Sequence, residues 1–295
     1  MKLSIVIPAY NEEENIVRTL KTTLRVISKF HKDFEIVVVD DGQEKRADVV
    51  LKDFADSRIK YIQNQKSLGG AGARNTGIKN SQGEFIAFLD DDDEWLPTKL
   101  DKQVKALEDC DNSVVLVFSG FYAYDKEGKL VKTFLPNEQG IIWPFERVLH
   151  RAFIWTSTIM FRQKVVKQGI MFDETLKKNQ EWDLTLRLLK IGKFFAINEP
   201  LVKLHILAED EHLGGMDNID NITSAFKLFI NKHYVDYKKH KKSLAFCYLR
   251  LATLYKNNHQ LKEARKYLFK AWLTRPWNLI YLYYILKLIL KIIIK

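Results

Sequence analysis

The stretch IAFLDDDDEW, residues 86–95, places four consecutive aspartates, Asp90 to Asp93, directly after an apolar run. Carboxylates a few ångströms apart repel one another, so such a cluster is unfavourable unless a cation arrives or water screens it. Two readings compete. The first is a solvated acidic turn leading into a helix whose first turn carries Pro97, because carboxylates suit helix N-termini. The second is a site for Mg2+ or Mn2+, held by one or two carboxylates with the remaining positions filled by substrate phosphates and water. Position favours the second. The cluster ends a buried-type strand, where an α/β sheet opens into a ligand crevice, and alternation along an extended chain turns Asp90 and Asp92 the same way.

Other phosphate-site patterns fail on detail. GAGARN, residues 70–75, begins like a dinucleotide fingerprint, but its sixth position is Asn75 and no strand leads tightly into it. The P-loop pattern GxxxxGK[ST] is absent from the sequence. A phosphatase of the DxDx[TV] kind would need Thr or Val where Glu94 stands.

Carboxylates at such a place need a frame to hold them, and the first hundred residues supply one. Short β-branched runs (LSIVIP, FEIVVVD, RIKYIQ, EFIAFLD) alternate with stretches of helical period (EENIVRTLKTTLRVISKF, KRADVVLKDFA, GAGARNTGIKNS). Continuous apolar strands separated by amphipathic helices predict βαβ units and a parallel sheet covered on both faces. Three strand ends carry polar residues: PAYNEE after the first, DDG after the second and DDDDE after the fourth. From Ser113 to His205, further apolar segments and one helical pattern, QEWDLTLRLLKIG, continue the same domain. A polar, Gly-containing stretch around 210–221 predicts a boundary, and everything beyond it reads helical.

The net charge of +10 is unevenly placed. From Phe226 to Lys295 there are 16 basic residues against two acidic ones, Asp236 and Glu263, whereas the first 225 residues hold 31 basic and 35 acidic. That division predicts an acidic-to-neutral catalytic body and a basic extension that meets something anionic. Cys110 and Cys247 lie far apart, suggest neither a disulfide framework nor a zinc site, and fit a reducing cytoplasm. The N-terminus shows no cleavage pattern, so no signal peptide is expected. In the last segment, residues 277–295, lysines 287, 291 and 295 interrupt an apolar run that opens with Trp277 and tyrosines 281, 283 and 284. An amphipathic helix lying on an anionic membrane is expected there rather than a full crossing; packing on the catalytic domain or in a dimer is the alternative. Tyr248, Leu251, Ala252, Tyr255, Ala264, Leu268, Ala271 and Pro276 match one tetratricopeptide-like unit, and an ordinary helical hairpin fits equally well.

Several segments, in order, resemble the family 2 glycosyltransferases: SIVIPAYNEEENI at the start, VVVDDG at 37–42, GARNTGIKNSQGEFIAFLDDDDEWLPTKL at 72–100, TSTIMFR at 156–162, FDETL at 172–176 and QEWDLTLRLLKIGK at 180–193. The resemblance covers roughly the first 205 residues. It implies an α/β fold of the GT-A type, a Rossmann-like, mostly parallel sheet flanked by helices, over residues 1–215, with a helical, basic extension over 216–295. The implied activity is inverting, metal-dependent transfer of a sugar from a nucleotide-diphospho-sugar to a glycan or lipid-linked acceptor, in cell-surface polysaccharide or glycoconjugate synthesis. Together with the basic tail, this predicts a cytoplasmic enzyme, peripheral on the membrane.

Carried over residue by residue, the resemblance has Pro8, Ala9, Tyr10 and Glu12 line the nucleotide pocket, Asp41 contact the base and Arg74 sit near the donor phosphates. Asp92 matches the metal ligand, with Asp90 and Asp91 supporting ribose and sugar. Each has a plain structural use besides: Tyr10 could pack, Asp41 could form an Asx-turn with Gly42, and Arg74 could pair with a nearby carboxylate. The general base falls on Glu181, where the family usually has aspartate. Asp183 competes for that role, and helix neighbours two apart face different sides. After DDG the chain continues with Gln43, Glu44 and Lys45 rather than the family's frequent Ser and later Asp. The rival from another class is a catalytically silent nucleotide-sugar-binding scaffold whose helical tail recruits partners. No nucleic-acid partner is expected, since interleaved glycine-aromatic and helix-turn-helix signals are lacking.

Overall fold

A computed structural model describes residues 1–10, 13–28, 30, 32–42, 54, 56–205, 219–276 and 283. One half of its ten-stranded sheet is the predicted βαβ frame. Strands β1 (Leu3–Ala9), β2 (Phe34–Asp40), β3 (Ile59–Gln63) and β4 (Phe85–Phe88) pair in parallel in the order β3-β2-β1-β4. β1 and β2 are buried along almost their whole length, which is why their sequences are continuous apolar runs rather than alternating ones. Helix α1 (Glu13–Ile27) follows β1, and α2 (Gly69–Lys79) connects β3 to β4. The helix expected over KRADVVLKDFA lies outside the described residues apart from Phe54.

The other half is mixed. β5 (Glu94–Trp95) follows the aspartates; then come α3 (Lys99–Glu108), β6 (Val114–Tyr124), β7 (Leu130–Phe134), β8 (Gly140–Ile142), α4 (Phe145–His150), β9 (Ile159–Arg162), α5 (Gln180–Leu188) and β10 (Lys193–His205). The sheet continues β4-β9-β6-β10-β5, with β7 on β6 and β8 on β10. β9 runs antiparallel to β4 and β6, while β10 is parallel to β6, so β1, β2, β3, β4, β6 and β10 all run one way. The sheet is therefore mostly parallel in direction, as expected.

Both faces are covered. Leu3, Ile5 and Ile7 of β1 and Ile36 and Val38 of β2 join Ile16 and Leu20 of α1 and Leu100, Val104 and Leu107 of α3 in one buried cluster. On the opposite face Val37 and Val39 meet Ala73 of α2. α2 lies so close to β1 that a Cβ on Gly77 would stand 2.3 Å from Val6 Cγ1, so only glycine fits there.

The chain divides into two compact units: Met1–Pro144, Ile154–Thr175 and Gln180–Glu211 form the first, and Phe145–Phe153, Leu176–Asn179 and His212–Lys295 the second. The boundary expected between 215 and 216 falls among residues outside the described ones. The second unit is helical: α4 is joined by α6 (Ile219–Lys232), α7 (Tyr234–Lys239), α8 (Lys241–Asn257) and α9 (Leu261–Thr274). α8 and α9 form a hairpin whose turn places His259 at φ 57°. Leu251 and Ala252 of α8 and Ala264, Leu268 and Ala271 of α9 are buried, and Tyr255 stacks on Tyr267 at 5.3 Å. Both readings of that stretch, a repeat-like unit and a plain hairpin, predict this geometry. Among the described residues no helix is long and apolar enough to cross a membrane. The terminal amphipathic segment lies outside them, Tyr283 excepted.

Candidate active site

Parallel strands bring their carboxyl ends to one edge, and there the first unit opens a cleft of about 470 Å³. Pro8, Ala9 and Tyr10 reach it from the end of β1, Asp41 from the end of β2, Ser67, Gly69, Gly70, Ala73 and Arg74 from the start of α2, and Asp90, Asp91 and Asp92 from the end of β4. Eight residues singled out in the sequence thus share one cleft. Glu12 lies outside the described residues.

Asp41 is only 2% exposed, and its carboxylate is already engaged. Oδ1 accepts from Asn64 Nδ2 at 2.7 Å and from the Leu68 N–H at 2.9 Å; Oδ2 accepts from Ser67 Oγ at 2.9 Å and the Gly69 N–H at 2.8 Å. It therefore orders the loop entering α2 and satisfies amides that the helix start leaves over. The Asx-turn to Gly42 is made by its neighbour instead: Asp40 Oδ1 accepts the Gly42 N–H at 2.9 Å, and Oδ2 accepts from Tyr61 Oη.

α2 delivers two adjacent side chains to two places. Arg74 donates from Nη2 to Asp90 Oδ1 at 2.5 Å and from Nη1 to Gln180 Oε1 at 3.4 Å. Burial works against its charge, but Asp90, Glu181 and Asp91 more than offset this and hold its pKa above the ordinary value. Its Nε is buried, with no hydrogen-bond partner among the described residues. Asn75, also buried, donates from Nδ2 to the Phe172 carbonyl and to Glu174 Oε1, while its Oδ1 accepts the Phe172 N–H. The residue that spoils the dinucleotide fingerprint is thus the one tying α2 to the FDE segment.

The two candidate bases on α5 differ in burial. Asp183 is fully buried and holds Arg187, whose Nε and Nη2 lie 2.8 and 2.7 Å away, and Arg187 in turn donates to the Met171 carbonyl. Glu181 is only half-buried, and its field reaches Arg74 in the cleft.

The profile described as Glycosyl transferase family 2 matches residues 4–170, more than half the chain. The chain belongs to this family. Two relatives at 31% identity are an uncharacterized glycosyltransferase of Methanocaldococcus jannaschii and the amylovoran biosynthesis glycosyltransferase AmsB of Erwinia amylovora; each alignment covers 72% of this chain and 73% of the relative. A third, at 28% identity over 66% of this chain and 73% of its own length, is the Escherichia coli UDP-Glc:alpha-D-GlcNAc-diphosphoundecaprenol beta-1,3-glucosyltransferase WfgD. Among solved structures, S. aureus TarS in complex with UDP-GlcNAc shares the fold with a TM-score of 0.64 at 18% identity, over 86% of this chain and 84% of that one. The mannosyltransferase PcManGT of Pyrobaculum calidifontis, in complex with GDP-Man and Mn2+, gives 0.60 at 16%, over 92% and 74%. The protein is a glycosyltransferase of GT-A fold.

In this family 2 glycosyltransferase the aspartate cluster is held by residues the sequence reading passed over. β4 and β9 pair with Ala87 opposite Met160, a register that, carried on, sets Asp90 opposite Ser157. Ser157 Oγ accepts the Asp90 N–H at 3.1 Å and donates to Asp93 Oδ2 at 2.5 Å, while the Ser157 carbonyl accepts from Trp95 Nε1 at 3.0 Å. Thr19 of α1 donates to the Asp91 carbonyl. Asp93 is buried and is not among the residues lining the cleft; burial, then Asp92 and Asp90, push its pKa well up, and the His205 N–H donates to it. His205, at the end of β10, arrives there because β10 pairs with β5, and its ring lies 3.2 Å from Glu94 Oε1. A lone serine in TSTIMFR and a lone histidine at a strand end carry no spacing signal that would have marked them.

Replacing Ser157 with alanine is expected to leave the Asp90 amide and the buried Asp93 carboxyl each short of a partner, at about 1–3 kcal/mol. Thermal unfolding and donor kinetics check it: a lower Tm with a raised donor KM is expected, and unchanged values of both would show that the contact positions nothing.

The donor set suits a hard divalent ion. Asp92 is pushed up to about 6, first by burial and then by Asp90, a strain that a bound cation would relieve. Among the described residues no group of three or more His, Cys, Asp or Glu side chains is arranged to hold an ion alone. Carboxylates with substrate phosphates completing the shell are the usual arrangement for magnesium.

Proposed function

We propose that the protein is an inverting, metal-dependent transferase that moves a sugar from a nucleotide-diphospho-sugar to a hydroxyl of a glycan or lipid-linked acceptor in cell-surface polysaccharide synthesis. The observation that carries this reading is Arg74 in the cleft: it donates to Asp90 and Gln180, feels the charge of Glu181, and has a buried Nε with no hydrogen-bond partner among the described residues. That donor suits a phosphate oxygen, and a guanidinium fork is the group best shaped to take one. Pro8, Ala9 and Tyr10 form the wall for the nucleoside, and Asp41 sets the loop that closes it. Asp92, with Asp90 and Asp91 beside it, would hold Mg2+ or Mn2+, which would supply charge neutralisation at the departing diphosphate. Glu181 takes the proton of the acceptor hydroxyl as it attacks the anomeric carbon, and a single displacement inverts that centre.

The names of relatives support this substrate class: WfgD is named for UDP-Glc and a diphosphoundecaprenol acceptor, AmsB for amylovoran biosynthesis, and TarS and PcManGT were solved with UDP-GlcNAc and GDP-Man. A lipid-linked acceptor agrees with the basic tail, so the enzyme is read as cytoplasmic and peripheral on the membrane, held there by residues 277–295. A panel of UDP, GDP and dTDP sugars, assayed for nucleotide release with Mn2+ and with EDTA, tests the reading. Manganese-dependent release from one nucleotide class is expected. Binding of a donor without turnover in any combination of donor and acceptor would favour the silent scaffold instead.

A further inference from the structure

None of the residues of α9, in the second unit, is among those lining the cleft. α9 packs on α8 through Ala264, Tyr267, Leu268 and Ala271, all buried. Its outer side is open, yet it is not simply polar. Phe269 and Leu273, one turn apart, are 52% and 56% exposed, and Trp272 lies against Phe269 with ring centroids 5.7 Å apart. The same helix exposes Lys262, Arg265, Lys266 and Lys270; Lys270 lies over the rings of Tyr267 and Tyr248, and the acid of this helix, Glu263, is paired with Lys266 at 3.0 Å. A solvated helix face ordinarily carries polar and charged groups without large apolar side chains among them. Phenylalanine, leucine and tryptophan framed by lysine and arginine is instead the pattern of a helix that lies in a membrane interface, where long basic side chains reach outward to the headgroups.

We propose that the outer face of α9 docks on an anionic lipid surface, with Phe269 and Leu273 entering the headgroup boundary and Lys262 and Arg265 meeting lipid phosphates. Charge decides against the rival occupant. A second copy seated on this face would bring two sets of cations together, whereas an anionic bilayer complements them. Chain direction agrees as well: α9 ends at Thr274, and residues 277–295 continue with three lysines and no acidic residue. The proposal deepens the membrane reading above, which rests on residues 277–295, by assigning a separate set of residues to the same contact.

Flotation of the full chain with phosphatidylcholine vesicles, with and without phosphatidylglycerol, tests it. The variants are Phe269→Ser with Leu273→Ser, Lys262→Gln with Arg265→Gln, and, for the tail alone, glutamine at Lys287, Lys291 and Lys295; circular dichroism confirms that each is folded. Binding to phosphatidylglycerol vesicles is expected to fall about fivefold for each basic residue removed from α9. It should fall at least as far for the Phe269 and Leu273 pair, with little binding to phosphatidylcholine alone. If both α9 variants float like the wild type while the tail variant does not, the α9 contact is overturned and the tail reading stands. Failure of the wild type to float on anionic vesicles overturns both. A dimer in sedimentation that the Phe269 and Leu273 pair dissociates, with flotation unaffected, would assign the face to a second copy.

Discussion

Glu181→Gln is expected to lower the transfer rate by roughly 10²-fold to 10⁴-fold, the usual worth of a positioned general base, while donor binding persists. The amide keeps size and polarity but cannot take the acceptor proton. The proposed assignment to Glu181 is supported by its half-burial and by its charge acting on Arg74, whereas Asp183 is locked against Arg187. Asp183→Asn serves as the contrasting variant, because breaking a buried pair leaves an uncompensated charge, and its main expected effect is a lower unfolding midpoint. Single-turnover kinetics, donor titration and thermal unfolding of both variants separate the two cases. A loss in Glu181→Gln smaller than tenfold would move the base elsewhere, and retained anomeric configuration in the product, read by NMR, would sink the single displacement.

Asp92→Ala is expected to reduce turnover by at least roughly 10²-fold to 10³-fold, comparable to removing one electrostatic stabiliser of a developing charge. The side chain is half-buried at the cleft rim, so the fold should survive, and relief of repulsion with Asp90 should leave the Tm unchanged or raised. Calorimetric titration with Mn2+ and a nucleoside diphosphate gives a readout independent of turnover: manganese should strengthen nucleotide binding in the wild type and not in the variant. Wild-type activity undiminished in excess EDTA would refute metal dependence outright.

Much of the donor side was legible along the chain. A parallel sheet fixes where strand ends lie, so apolar runs followed by PAY, DDG and DDDD mark one edge without any knowledge of distances. Seven residues at those strand ends line one cleft, and Arg74, brought in by the resemblance to the family, lines it with them. The sequence was less informative wherever a polar residue had two physically sensible uses. Asp41 reads equally well as a contact to a base or as a loop anchor, and only its four named donors reveal how completely the protein itself occupies it. Glu181 and Asp183 differ in one methylene and two positions; that Asp183 holds Arg187 one turn on, and is fully buried, is visible only in the structure.

The sequence by itself determined the frame: hydrophobic period sets strand and helix, the strands' continuous burial requires cover on both faces, and repulsion among adjacent carboxylates calls for a cation or solvent at Asp90–Asp93. Only the tertiary structure decided what surrounds those carboxylates. Ser157 meets Asp90 because β9 pairs antiparallel with β4, and His205 meets Asp93 because β10 pairs with β5. Those contacts span 67 and 112 positions of chain, and local propensity carries no information about register between segments so far apart. Apolar faces likewise say that a helix is covered, not by what. α9 shows this best, since burial of Ala264, Leu268 and Ala271 on α8 is what turns Phe269 and Leu273 outward.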